Sequence, residues 1–154
     1  MADATAAPAR LPRGRHKLSR EQVEADQRLR IVVGMAEAMT VDGYVGTSVA
    51  EIIRRAGVSR ETFYRLYDDK LDCFLAAFDL VAAVLVERVE SAATLPGDRM
   101  ARVETVVHAY LGLLADEPAY ARLFLVEVHA AGPEAIARRA AVQRRLADGL
   151  ADLL

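Results

Sequence analysis

The chain contains a single cysteine, Cys73, and only three histidines among its 154 residues. One cysteine cannot form a disulfide within the chain, and no second cysteine or histidine lies near it at metal-ligand spacing. Cys73 is therefore predicted to be a packing residue. We expect neither a metal site nor a cofactor.

Long apolar runs and strand patterns are also missing. No segment approaches the roughly 18 consecutive apolar residues of a membrane span, and the N-terminus lacks the apolar core of a secretory signal. No run alternates cleanly between apolar and polar residues, and β-branched residues recur at helical spacing. The sequence therefore predicts an all-α, cytoplasmic protein without a membrane partner.

The motifs of common enzyme classes are absent as well. His16, His108 and His129 lie in three different segments. There is no Ser-His-Asp order, phosphate loop or dense cluster of histidines and carboxylates. We therefore predict that the protein is not an enzyme.

Positive charge is concentrated near the N-terminus. The net charge is −2, but residues 1–70 carry 12 Lys/Arg against 10 Asp/Glu, whereas residues 71–154 carry 8 against 12. Phosphate binding depends on local potential rather than total charge. Residues 1–18, rich in Ala, Pro and Arg, are predicted to be a disordered basic arm. Its basic residues are Arg10, Arg13, Arg15 and Lys17, and Arg20 follows just after it. The arm either contacts DNA or is a solvated tail.

Residues 47–70 have the pattern of two short helices joined by a tight turn. Ser48 is a suitable cap for the first, with Glu51 completing a capping box, and Gly57 tolerates the positive φ that ends it. Ser59 is a suitable cap for the second helix, in which Phe63 faces inward. The outward hydrogen-bond donors are Arg60, Thr62, Tyr64 and Arg65. This pattern predicts a helix-turn-helix whose second helix enters the major groove of DNA.

Further helices surround this motif. A first helix begins at the Ser19–Gln22 capping pair, continues to Met39 and is broken near Gly43. Helical periodicity and Pro/Gly breaks predict later helices at 71–91, 98–115, 118–131 and 134–154. We therefore expect a DNA-binding domain at 19–70, a linker helix from 71, and a C-terminal helical regulatory and dimerisation domain at 71–154.

Five motifs together give this region a more specific signature than a bare helix-turn-helix. They are Gly43-Tyr44, Thr47-Ser48-Val49, Ala56-Gly57-Val58-Ser59, Thr62-Phe63-Tyr64 and the ending from Tyr67 to Lys70. In this combination, the segment from about Gln27 to Leu75 resembles the TetR family of bacterial transcriptional regulators. The resemblance implies a homodimeric regulator, most often a repressor, that binds a pseudo-palindromic operator and responds to a small-molecule effector. Such a protein is cytoplasmic and associates with the nucleoid when bound to DNA.

The resemblance also assigns roles to individual residues. Thr47, Ser48 and Lys70 correspond to phosphate contacts, and a helix N-terminus suits an anion on physical grounds too. The residues that correspond to the reading helix are Ser59, Arg60, Thr62, Tyr64 and Arg65, with Arg60 and Arg65 as candidates for base readout. The sequence departs from the family pattern at Leu66, where a histidine is frequent, and the acidic Glu61 leaves base preference open.

Polar and aromatic residues of the C-terminal helices are candidates for an effector pocket. They are His108, Tyr110, Tyr120, Phe124, Glu127 and His129. Glu127 stands out because its neighbours in sequence are apolar. It either contacts a ligand, lies on an exposed face, or pairs with Arg122 or Arg138.

Two alternatives remain open in this interpretation. Members of the family commonly continue for two further helices that form the dimer interface, so either this dimer uses fewer helices or the sequence is a truncated form. The alternative function is a helical protein-interaction module that keeps the fold without DNA binding or ligand response.

Overall fold

The computed structural model describes residues 19–153, so the predicted basic arm at 1–18 lies outside the described residues. The helices are α1 (Arg20–Gly46), α2 (Val49–Ala56), α3 (Arg60–Leu66), α4 (Lys70–Ala93), α5 (Arg99–Asp116), α6 (Pro118–Arg122), a π-helical segment (Leu123–Glu127), α7 (Val128–Ala131) and α8 (Pro133–Ala151). Residues 19–153 contain no strand. None of their helices is long and apolar enough to cross a membrane. The all-α prediction is confirmed.

The helix starts follow the predicted caps. Ser19 and Gln22 form a complete capping box, and the hydroxyl of Ser59 accepts a hydrogen bond from the Thr62 backbone N–H. Ser48 caps α2 through the backbone N–H of Glu51. The predicted capping box at Ser48 is wrong in its second half, because the Glu51 carboxylate binds arginines of its own helix instead.

The turn of the helix-turn-helix is made by Gly57, which adopts φ 63° and ψ 37° at the end of α2. An L-residue with a side chain is strained in this left-handed region, whereas glycine is not. The break near Gly43 is also confirmed, since its φ of 65° and ψ of 177° interrupt helical geometry within α1. These two glycines set the direction of the chain before and after α2.

One continuous cluster of buried side chains joins the helix-turn-helix to the helices that follow. It includes Phe63 of α3, Phe74 and Phe78 of α4, and Phe124 of the π segment. Helix α4 contacts α1, α5, α8 and the π segment, so it lies at the centre of the fold. The domains predicted at 19–70 and 71–154 therefore share their core.

Cys73 lies fully buried in this cluster. Burial raises the pKa of its thiol to about 12. The thiolate is the reactive form of cysteine, so the thiol is inert in the folded protein. The prediction that Cys73 is a packing residue is confirmed.

Helices α1 and α2 approach closely at Gly34. A Cβ at this position would lie 3.0 Å from the backbone N of Ala56 and 3.1 Å from the carbonyl O of Ile52. Both atoms belong to the backbone of α2, which cannot move without displacing the reading helix behind it. The distance between α1 and α2 therefore requires glycine.

We predict that Gly34→Val lowers the free energy of unfolding by about 1–3 kcal/mol, the usual cost of overpacking a well-packed core. Gly149→Val is the matched control, because Gly149 is also helical and nothing lies within 4 Å of its added Cβ. Urea unfolding followed by circular dichroism measures both. Equal stability of the two variants would contradict the close approach of α1 and α2.

Candidate nucleic-acid interface and effector cleft

The reading helix α3 has a buried side and an exposed side. Phe63 and Leu66 are buried and attach the helix to the core. The exposed side carries Arg60, Glu61, Tyr64 and Arg65, so the predicted outward donors of α3 are exposed apart from Thr62, which is half-buried. This surface presents both hydrogen-bond donors and an aromatic ring.

Arg60 and Tyr64 form a stacked pair on this surface. The Arg60 guanidinium lies 5.2 Å from the centre of the Tyr64 ring, which in turn packs edge-on against Phe63 with ring centres 5.3 Å apart. Tyr64 remains 44% exposed. Within residues 19–153 Arg60 makes no ion pair with a carboxylate, so its donors face solvent in an orientation limited by the ring beneath them.

Arg65 is held differently from Arg60. Its Nη2 donates a hydrogen bond of 2.8 Å to the side-chain oxygen of Gln27, and its Nη1 lies 3.9 Å from a carboxylate oxygen of Glu24. Both partners are on α1. The structure therefore fastens Arg65 to α1, and of the two arginines predicted to read bases, Arg60 is the one with a guanidinium directed to solvent.

Ser59 and Thr62 use their polar groups on each other at the start of α3. Their hydroxyl oxygens are 2.9 Å apart, and the Ser59 oxygen also accepts the Thr62 backbone N–H at 3.0 Å. Ser59 is exposed. Ser59 and Thr62, both predicted to contact DNA, thus form the cap of α3. This cap lies at the N-terminus of the helix, where a phosphate is most favourable.

The predicted phosphate contact of the Thr47 side chain is wrong. Thr47 is only 2% exposed, and both its backbone N–H and its hydroxyl donate to the carbonyl of Gly43, at 3.0 and 2.7 Å. It closes the loop between α1 and α2 rather than facing outward. Ser48 is exposed and remains a candidate for a phosphate.

Lys70 also serves the loop between α1 and α2. Its ammonium donates hydrogen bonds of 2.9 Å to the carbonyl of Tyr44 and 3.0 Å to that of Thr47, and it lies 4.3 Å from the centre of the Tyr44 ring. Two of the three donors of the ammonium are therefore used inside the protein. A phosphate contact by Lys70 stays a prediction that rests on its third donor.

An apolar cleft of about 320 Å³ lies between α4, α5 and α8. Its lining is mostly aliphatic, with Tyr110 and Gln143 as the polar members. The aliphatic residues are Val89, Val106, Val107, Leu111, Leu146, Ala147 and Leu150. This volume and lining are typical of small pockets for apolar ligands.

Of the six residues predicted for an effector pocket, only Tyr110 lines this cleft. His108 and His129 are exposed, and His108 Nδ1 lies 2.9 Å from the carbonyl of Glu104 in its own helix. Tyr120 is half-buried, and burial raises the pKa of its phenol.

The remaining two predicted pocket residues are buried against protein atoms. Phe124 stacks on Phe78 with ring centres 5.3 Å apart, so it belongs to the core. Glu127 accepts hydrogen bonds from Arg122 Nε and from the Tyr44 backbone N–H, both at 2.7 Å. Of the alternatives stated for Glu127, the structure therefore shows the ion pair with Arg122.

Residues 31–77 match the family model described as "Bacterial regulatory proteins, tetR family". Over 143 residues the chain is 23% identical to the HTH-type transcriptional activator FasR of Mycolicibacterium smegmatis, a match that covers 93% of this chain and 65% of the relative. The chain thus spans slightly less than two thirds of the length of that protein.

Two solved structures show the same fold. A TetR family transcription regulator from Marinobacter aquaeolei superposes with a TM-score of 0.74 at 22% identity, over 86% of this chain and 70% of the other. The transcriptional regulator FadR from Bacillus subtilis, in complex with stearoyl-CoA, gives 0.73 at 21% identity, over 82% and 68%. Residues 31–77 thus have the sequence pattern of the tetR family, and the chain shares the fold of solved TetR-family regulators.

Proposed function

We propose that the protein binds a pseudo-palindromic operator as a homodimer, with α3 of each protomer in the major groove, and that a small-molecule effector changes this binding. The observation that carries the proposal is the exposed Arg60–Tyr64 pair on a helix anchored by Phe63. An arginine fork matches the O6 and N7 acceptors of guanine, and a tyrosine hydroxyl can bind base or phosphate. Two such helices must be held about one DNA turn apart, or a multiple of it, which is what a dimer provides.

The sign of regulation is a separate part of the proposal. We predict repression because most members of the family that the chain resembles are repressors. The M. smegmatis relative, however, is named an activator. A reporter fused to the protein's own promoter decides between them. Deleting the gene raises reporter output if the protein represses and lowers it if the protein activates.

The cleft between α4, α5 and α8 suggests the class of effector. Its aliphatic lining suits an apolar chain, and Tyr110 and Gln143 can bind a polar group at its edge. The B. subtilis neighbour was solved with stearoyl-CoA, a molecule that combines a long acyl chain with a polar head. We therefore propose an amphipathic effector with an acyl or similar apolar chain.

The DNA-binding proposal predicts that Arg60→Ala and Tyr64→Ala each weaken binding to the protein's own promoter by about 5- to 150-fold, equivalent to the 1–3 kcal/mol of a base contact. Fluorescence anisotropy of a labelled promoter fragment at fixed salt measures this. Arg144→Ala is the control, since it removes an exposed arginine from α8 and should leave affinity unchanged. Failure of the wild type to bind this or any other tested operator would favour the interaction-module alternative.

The contacts of Lys70 predict that Lys70→Met lowers the free energy of unfolding by about 1.5–3 kcal/mol, the contribution of hydrogen bonds to a charged group. The dependence of DNA affinity on salt distinguishes this role from a phosphate contact. A residue that neutralises a phosphate contributes about one unit to the slope of log K against log salt. A slope about one unit lower for Lys70→Met than for Arg144→Met would assign the predicted phosphate contact to the third donor of Lys70, whereas equal slopes would leave Lys70 with its structural role alone.

The cleft predicts that stearoyl-CoA changes the affinity of the wild type for promoter DNA by about 5- to 150-fold, the usual range of coupling between sites. Ala147→Phe places a phenyl ring in the cleft and should abolish this response. Ala151→Phe, an exposed position on the same helix, should retain it. A full response of Ala147→Phe, or an equal response to free coenzyme A, would place the effector elsewhere.

A further inference from the structure

Glu127 has a buried carboxylate that belongs neither to the proposed DNA interface nor to the lining of the cleft. The residue is 4% exposed and belongs to the π segment. One carboxylate oxygen accepts from Arg122 Nε, five residues earlier, and the other accepts from the backbone N–H of Tyr44, 83 residues away in sequence. A buried carboxylate is costly unless it is paired, so these two bonds determine where the side chain lies.

The Tyr44 N–H is available because α1 breaks at Gly43. In an unbroken helix this N–H would bond to a carbonyl four residues earlier, and a buried N–H left without an acceptor is destabilising. Gly43 also supplies the space, since a Cβ there would lie 3.3 Å from Glu127 Oε2 in a backbone conformation with φ of 65°. The break in α1 and the carboxylate of Glu127 therefore fit each other.

Tyr44 in turn connects to both neighbouring parts of the DNA-binding domain. Its carbonyl and ring contact the Lys70 ammonium at the start of α4, and the same ammonium binds the carbonyl of Thr47 just before α2. Thr47 is bonded back to Gly43. The residues at the junction between α1 and α2 are thus joined in one hydrogen-bonded unit. The bond from the Tyr44 N–H to Glu127 connects this unit to the C-terminal helices.

The other end of this connection leads toward the cleft. Phe124, in the same π segment, lies beneath the Arg139 guanidinium of α8 at 6.0 Å from its ring centre. Gln143 and Leu146, one and two turns further along α8, line the cleft. The hydrogen bonds of a π segment span five residues rather than the four of an α-helix, so a change to α-helical register would turn the Glu127 side chain away from Tyr44.

We propose that Glu127 is a positioning residue that fastens the α1–α2 junction to the π segment, so that a change in the cleft reaches the helix-turn-helix through its carboxylate. The biological use of this coupling rests on the proposed function, but the coupling itself is a property of the protein without DNA. Two variants that act at its two ends, Ala147→Phe in the cleft and Glu127→Ala at the junction, test it.

The experiment measures hydrogen exchange of the Tyr44 amide by NMR in the wild type, in Ala147→Phe, in Glu127→Ala and in the double variant. Loss of a hydrogen bond to a charged group predicts exchange at least about tenfold faster in Glu127→Ala. Filling the cleft should change Tyr44 exchange in the wild-type background and have no further effect without Glu127. Val107→Phe, at another cleft position, replaces Ala147→Phe if that variant does not fold.

Two further variants separate positioning from general loss of stability. Glu127→Gln retains an oxygen for the Tyr44 N–H and loses the ion pair with Arg122, so its exchange should lie between wild type and Glu127→Ala. Glu134→Gln makes the same chemical change at an exposed ion pair with Arg138 and should leave Tyr44 unchanged.

The proposal is overturned if cleft filling leaves Tyr44 exchange unchanged in the wild type, or changes it equally with and without Glu127. These readouts need no DNA, so they stand even if the protein binds no operator. If the wild type does bind its promoter, Glu127→Ala should also lose most of the response to stearoyl-CoA. Loss of DNA binding by the wild type would instead contradict the proposed function alone.

Discussion

Burial of Phe63 and Leu66 holds the reading helix in place, and the proposed contacts with DNA depend on it. A helix of seven residues is unstable alone in water, because too few hydrogen bonds offset the cost of starting it. Helix α3 exists because its cap at Ser59 and its two buried side chains join it to a core that extends into α4. The fold therefore constrains the buried side of α3 and leaves its exposed side available for contacts.

Helix α1 restrains the far end of α3 as well. Arg28 Nη1 donates to the carbonyl of Leu66, the last residue of α3, and the Arg28 guanidinium lies over the ring of Tyr67. Arg65 is bonded to Gln27 of the same helix. A phosphate or base that attracted Arg65 would compete with these partners on α1, so the proposed DNA contact would be linked energetically to the packing of α3 against α1.

Local signals of the sequence predicted most of the fold. The caps at Ser19 and Ser59 and the left-handed Gly57 depend on neighbours within four residues, and each was found where the sequence placed it. The contacts that the sequence did not reveal are long-range. Lys70 reaches carbonyls 26 and 23 residues earlier, and Glu127 reaches Tyr44 across 83 residues, separations at which a pattern in one sequence carries no information. The aliphatic lining of the cleft could not be predicted, since an apolar stripe on a helix has the same spacing whether it packs against protein or lines a cavity.

The burial of Cys73 has a practical consequence for labelling the protein. Its thiol is fully buried, and burial raises the thiol pKa to about 12, so little of it is in the thiolate form that labelling reagents attack. The same property makes the wild type suitable for site-directed labelling without removal of its native cysteine. A cysteine introduced at Val45, which is 79% exposed beside the junction of α1 and α2, would carry a spin label at one defined place per protomer. The spacing between two such labels would report directly how far apart an assembly holds its reading helices.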